Sequence, residues 1–144
     1  MKARLKHFGN MSFEAIADSG HPVIMAGAPQ VGGENNGPRP MEMVLMGLGG
    51  CSGMDVMLIL NKGRQRVRSL EIELSAERAD AVPAVFTRIH LRYSLSGENL
   101  DPAKVARAVD LSMKKYCSVT RMLEKTAAIT HEFEIVEGGS AGKT

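Results

Sequence analysis

Tryptophan is missing from this chain of 144 residues, and the other aromatics are two tyrosines and four phenylalanines. A core built on stacked rings is therefore excluded. Aliphatic side chains must fill it, helped by ten methionines, whose flexible thioethers adapt to irregular gaps. A strong excess of one charge is missing too. The formal net charge is +2, and no Lys/Arg cluster is interleaved with aromatics, which argues against nucleic acid as a partner. The opening MKARLKHFGN is basic but lacks the apolar stretch that secretion requires, so the cytoplasm is the expected location. Only two cysteines are present. In a reducing compartment these are expected to be free, redox-active or metal-binding, not a permanent cross-link. His7, His21, His90 and His131 are scattered without ligand spacing, so neither a metal site nor a cofactor is expected. The tail GGSAGKT ends like a phosphate loop but lacks that loop's spacing, and it reads as a frayed terminus.

What is present suits one soluble domain spanning residues 1–144: 44% of residues are hydrophobic and 24% charged. The amino-terminal part reads as a meander of short strands, ARLKHF, MSFEAIA and PVIMAG, separated by Gly9-Asn10 and Asp18-Ser19-Gly20. Gly, Asn and Asp at such breaks supply the positive φ of tight turns. Residues 27–40, GAPQVGGENNGPRP, have no periodicity and form a long loop, a common place for function.

From Pro40 the pattern turns helical. PMEMVLMGLGGCSGMDVMLIL is apolar on nearly every face, which predicts a helix wrapped by protein on most sides. Glu42, Asp55 and the glycines favour a buried helix over a membrane span. Gly63 is expected at its C′ position. Four glycines, Gly47, Gly49, Gly50 and Gly53, surround Cys51. Each costs a helix about 1 kcal/mol relative to alanine. Their missing side chains allow another backbone to come close, either for packing alone or for a site.

Two alternating strands follow. Leu70, Ile72 and Leu74 share one face, and Val85, Ile89, Leu91, Tyr93 and Leu95 share another, with Phe86, Arg88, His90 and Arg92 opposite. Glutamates on the first strand and arginines on the second favour antiparallel pairing. Asp101-Pro102 starts a helix whose buried stripe is Val105, Ala108, Val109, Met113 and Tyr116. Ser118 or Thr120 is expected to cap a short further helix ending at Leu123. A last strand carries Ile129, His131, Phe133 and Ile135 on one face. The order defines an α+β fold, with antiparallel sheets and a long central helix.

Cys51 lies in mid-helix. Cys117 lies at the start of the short helix, where exposed N–H groups lower a thiol's pKa, with Arg121, Lys114 or Lys115 as further cationic help. Two unrelated core thiols remain the simpler alternative, because free cysteine is often buried. Asp55, one turn after Cys51, is either a buried network residue or part of a site.

At GPRPMEMVLMGLGGCSGMDV the sequence resembles the OsmC/Ohr family, the osmotically inducible and organic hydroperoxide resistance proteins, and is closest to its YhfA-like branch. KYCSVTRMLEKTAAI resembles that family's second cysteine segment. The resemblance implies an OsmC-like fold, with antiparallel sheets wrapped around long central helices in an intertwined homodimer. It also implies a cysteine-based peroxidase that reduces organic hydroperoxides and is recycled by a dithiol reductant. Cys51 would then be the peroxidatic nucleophile and Cys117 the resolving thiol. Met41 stands where the family has its catalytic glutamate, and Glu42 follows it. No arginine occurs between His7 and Val31. Glu42 and Arg39 are thus the candidate acidic and cationic partners. A second reading is a non-enzymatic homodimer that binds a small hydrophobic ligand in an interface pocket lined by the thiols. Neither reading involves a membrane.

Overall fold

The structure is a computed structural model that describes residues 1–136. The glycine-rich tail lies outside the described residues. Two compact units divide the chain, Met1–Met46 and the part from Gly47 onward.

In the first unit, β1 (Ala3–Gly9), β2 (Ser12–Ala17) and β3 (Val23–Ala26) form an antiparallel meander in that order. The turns fall where the sequence places them. Gly9, Asn10 and Gly20 all have positive φ, at 133°, 43° and 86°. The following loop contains one short 3-10 turn, Pro29–Val31. It folds so tightly on itself that a Cβ on Gly33 would collide with the Gly27 carbonyl. Helix α1 (Pro40–Lys62) begins at the expected proline. Arg39 occupies its N-cap, and its backbone N–H donates to Glu42 Oε1 at 2.8 Å. This is the N3 half of a capping box, which satisfies a donor the helix leaves free.

In the second unit α1 continues to Lys62. The expected C′ glycine is corrected here. Arg64, not Gly63, adopts the left-handed conformation, at φ 59°. Gln65 N–H donates to the Leu60 carbonyl and Arg64 N–H to that of Asn61, the paired bonds of a Schellman ending. β4 (Arg66–Arg78) and β5 (Phe86–Glu98) pair antiparallel, with Leu70 opposite Leu95, Ile72 opposite Tyr93 and Leu74 opposite Leu91. Phe86 departs from the expected polar face. A bulge at Thr87 lets Arg78 pair with Phe86 while Glu77 pairs with Arg88, and Phe86 turns into the core. The expected Glu–Arg register is partly kept. Glu73 stands opposite Arg92, yet the Arg92 guanidinium pairs with Glu134 at 2.9 Å.

The third strand of this sheet, β6 (Ala128–Ile135), runs parallel to β5. The sheet is therefore mixed, a correction to the all-antiparallel expectation. The segment between the two strands contains helices and is long enough for the crossover that parallel pairing needs. It comprises α2 (Pro102–Leu111), a π-helical stretch (Ser112–Tyr116) and α3 (Ser118–Leu123). Asp101 caps α2 as expected, accepting from Ala103 N–H at 2.9 Å. Val105, Ala108, Val109 and Met113 are buried, but Tyr116 is exposed. The π-helical i→i+5 bonding widens the last turn and rotates Tyr116 off the buried stripe.

Helix α1 lies on the apolar face of β4 and β5. Leu48, Ser52, Val56 and Leu60, each four residues apart, are its buried edge in this unit. Gly49 and Gly53 are the points of closest approach. A Cβ at Gly49 would stand 2.8 Å from Leu74 Cδ1, and one at Gly53 3.1 Å from Ile72 Cδ1. Gly47 and Gly50 face open space. Met54 and Leu58 are exposed as well. Within this unit, among the described residues, protein covers only one side of the helix.

Candidate functional site

The two thiols meet, although 66 residues separate them (117 minus 51). Cys51 is half-buried on α1. Cys117 is 2% exposed and forms the N-cap of α3. Both are free, and the two sulfurs and an Asp55 carboxylate oxygen all lie within 4.8 Å of one another. Asp55 reaches the cluster because it sits one helical turn beyond Cys51.

The cap is the sulfur itself. Cys117 Sγ accepts the Thr120 N–H at 3.4 Å, so neither Ser118 nor Thr120 plays the capping part expected of it. A lowered pKa was expected from this position, and the opposite holds. Burial pushes the Cys117 thiol up, Thr120's hydrogen bonds offset this only in part, and neighbouring Cys51 adds to the rise. The expected cations are engaged elsewhere. Lys114 pairs with Asp110 at 3.1 Å, and Lys115 lies 5.1 Å from the centre of the Tyr116 ring. Arg121 donates to the Lys114 carbonyl at 3.2 Å and pairs with Glu124 at 3.7 Å.

Behind the sulfurs runs a buried chain of hydroxyls. Tyr93 and Ser52 are 2.5 Å apart and Ser52 and Ser112 2.8 Å, and Ser112 donates to Asp55 Oδ2 at 3.2 Å. With one proton per hydroxyl, a consistent direction runs from Tyr93 through Ser52 and Ser112 to the carboxylate. Met113 Sδ lies beside this chain, 3.3 Å from the Tyr93 hydroxyl oxygen. Burial raises the Tyr93 pKa from 10.0 to about 12. Its hydrogen bond with Ser52 opposes the shift, and the charges of Cys117 and Asp55 add to it.

Reading by residue type missed Ser52, Tyr93, Ser112 and Thr120. Ser52 and Tyr93 carried a signal, as single polar atoms on otherwise apolar faces. Their partners come from a different helix and strand, which no local pattern specifies. Arg39 and Glu42 belong to the amino-terminal unit, where they form the α1 start described above, and Arg39 Nη1 also donates to the Gly37 carbonyl at 3.1 Å. His131, half-buried on β6, lies 3.4 Å from Asp110. His90 bonds Thr130 and Glu132 on the outer face of the sheet.

A long helix laid on a mixed sheet is the fold this chain shares with the OsmC/Ohr class, a group related to redox and hydroperoxide resistance proteins. The family defined as OsmC-like protein matches residues 33–132, and the chain belongs to it. It is 48% identical over 136 residues to Protein YhfA of Escherichia coli strain K12, spanning 94% of this chain and 98% of that relative. The crystal structure of a hypothetical protein from Aquifex aeolicus VF5 is 30% identical, with a TM-score of 0.79 over 94% of this chain and 97% of its own. The organic hydroperoxide resistance protein OhrB of Bacillus subtilis shares the fold at 15% identity, with a TM-score of 0.61 over 93% of this chain and 98% of its own.

Proposed function

We propose that this protein is a thiol-dependent peroxidase that reduces small organic hydroperoxides through Cys51 and Cys117. The observation that carries the reading is the approach of both sulfurs and a carboxylate to within 4.8 Å. The difference in burial supports the division of roles. Cys117 is shielded and held protonated by its surroundings, which suits a resolving thiol. Cys51 is the more accessible, which suits the attacking one.

In the first step the Cys51 thiolate attacks the outer oxygen of the hydroperoxide. The O–O bond breaks, the alcohol leaves with a proton, and a sulfenic acid remains on Cys51. In the second, the Cys117 sulfur attacks the Cys51 sulfur and water leaves. The resulting disulfide protects Cys51 from further oxidation. An external dithiol then returns two electrons. Asp55 is the carboxylate in reach to take the Cys117 proton. Glu42 and Arg39 are proposed as the acidic and cationic residues of the reaction, so Glu42→Gln or Arg39→Ala should slow the first step.

The working species in this reading is a homodimer. The uncovered side of α1 supports it. Gly50, Met54 and Leu58 border a groove of about 670 Å³ whose other wall is Val67, Leu70 and Ile72. Unpartnered apolar surface of this kind marks an interaction site. The same groove suits the rival, a non-enzymatic carrier of a small hydrophobic ligand. Titration of free thiols after one equivalent of cumene hydroperoxide separates the two. The peroxidase predicts that both thiols of one chain disappear, and that Cys51→Ser prevents it. Unchanged thiols would defeat the peroxidase and leave the carrier.

A further inference from the structure

We propose that Cys51, Cys117 and Asp55 bind a divalent metal ion of the zinc class, held by two thiolates and one carboxylate. The redox reading is not needed for this, since the site rests on donor chemistry and geometry alone.

Three donors of ligating type converge from two segments. α1 supplies Cys51 and Asp55 at a spacing of one turn, and the N-cap of α3 supplies Cys117. Their donor atoms lie within 4.8 Å of one another. Two sulfurs bound tetrahedrally at about 2.3 Å from zinc stand about 3.8 Å apart, so closing the site needs side-chain rotation and no backbone rearrangement. The ligands are also held from behind. Ser112 donates to Asp55 Oδ2, and the Thr120 N–H donates to Cys117 Sγ. Outer bonds of this kind aim ligands at a metal and strengthen its binding.

The charge around the sulfurs favours the same conclusion. Lys114, Lys115 and Arg121 are all engaged elsewhere. A cation bound between the sulfurs would supply what the surroundings lack. Two thiol protons leave to solvent as two metal–sulfur bonds form, and the ion's two positive charges face three negative ligands. Nothing is oxidised or reduced. Two thiolates select soft or borderline ions over magnesium and calcium, which prefer shells of oxygen. Three protein ligands leave a fourth position for water. Metal in this site would occupy both thiols and shield them reversibly from oxidants.

Cobalt(II), added alone to the reduced full-length protein, is the probe. The expected result is one ion per chain, with a thiolate-to-cobalt charge-transfer band and the visible bands of tetrahedral cobalt, both displaced by zinc. Cys51→Ser and Cys117→Ser should each abolish the charge-transfer band of the pair. Ser112→Ala should weaken binding about tenfold and Asp55→Asn by more, with unchanged circular dichroism confirming the fold. Absence of the band, or a band with the same affinity in Asp55→Asn, would overturn the site. Peroxide-driven thiol loss in the metal-free protein is scored separately, so either reading can fail while the other stands.

Discussion

The two thiols come from helices of opposite character. α1 is regular for 23 residues and presents Cys51 from its middle, with side chains removed on either side. The segment that carries Cys117 is broken. An α-helix passes into a π-helical stretch, the chain becomes extended at residue 117, and a helix of only six residues follows. The regular helix leaves its sulfur half open. The broken one buries its sulfur and turns it into a cap. Accessibility at one thiol and restraint at the other are thus separate inventions of two local backbones, and an asymmetric reaction can use both.

The sharpest way to break this contrast is to remove each sulfur in turn. In Cys51→Ser, hydroperoxide should leave the remaining thiol untouched, a complete loss of reaction. In Cys117→Ser, the first oxidation should proceed and Cys51 should advance to sulfinic acid, a gain of two oxygens by mass spectrometry. Oxidation of Cys117 first would reverse the assignment.

Next in size is the support beneath Cys117. Met113 is 7% exposed, lies against the Tyr93 hydroxyl and accepts from Thr120. Met113→Ala should cost about 2–5 kcal/mol in urea unfolding, as truncation of large buried side chains does. The exposed Met54→Ala should be nearly silent in an isolated chain and destabilising where a partner covers that side of α1.

Tyr93 gives a pH signature. Its folded pKa is raised, so its contribution to stability is complete below pH 10.0, the value for an unperturbed tyrosine, and is lost as pH climbs through about 12. The loss should be on the order of 3 kcal/mol at most. Tyr93→Phe should flatten that alkaline limb of a stability–pH profile while lowering the neutral plateau.

A finer test contrasts the two sides of α1. Gly50→Ala meets nothing within 4 Å and should stabilise an isolated chain by about 1 kcal/mol. Gly49→Ala gains the same propensity but must displace Leu74, so its thermal midpoint should lie lower than that of Gly50→Ala. If Gly50→Ala instead destabilises, increasingly on dilution, a partner covers that side. Smallest is Arg64→Gly, which relieves a left-handed backbone and should add about 0.5 kcal/mol.

Much of this architecture was legible because it is written in local patterns. The alternation in β4 and β5, Pro40 and Asp101-Pro102 as helix starts, and glycine and asparagine in the meander turns all sit within a few residues of what they determine. Three of the misreadings share a cause. The bulge at Thr87, the left-handed Arg64 and the rotated Tyr116 each insert or shift one residue, and a periodic reading cannot see such a step. At the site, the two cysteines were identifiable as residue types, and Asp55 by its one-turn offset from Cys51. The upward shift at Cys117 was not, because burial is set by the whole sheet while the capping N–H is local. The hydroxyl chain from Tyr93 to Ser112 was hidden for the same reason.

Because β6 lies parallel beside β5, the excursion that carries Cys117 leaves from one strand of the sheet and returns to its immediate neighbour. Both ends of that loop of chain are therefore clamped to adjacent rails. Lengthening it by a residue cannot be absorbed by sliding the strands, whose inward and outward faces would exchange. Any slack must appear in the helices between them, where it would swing the sulfur away from its counterpart.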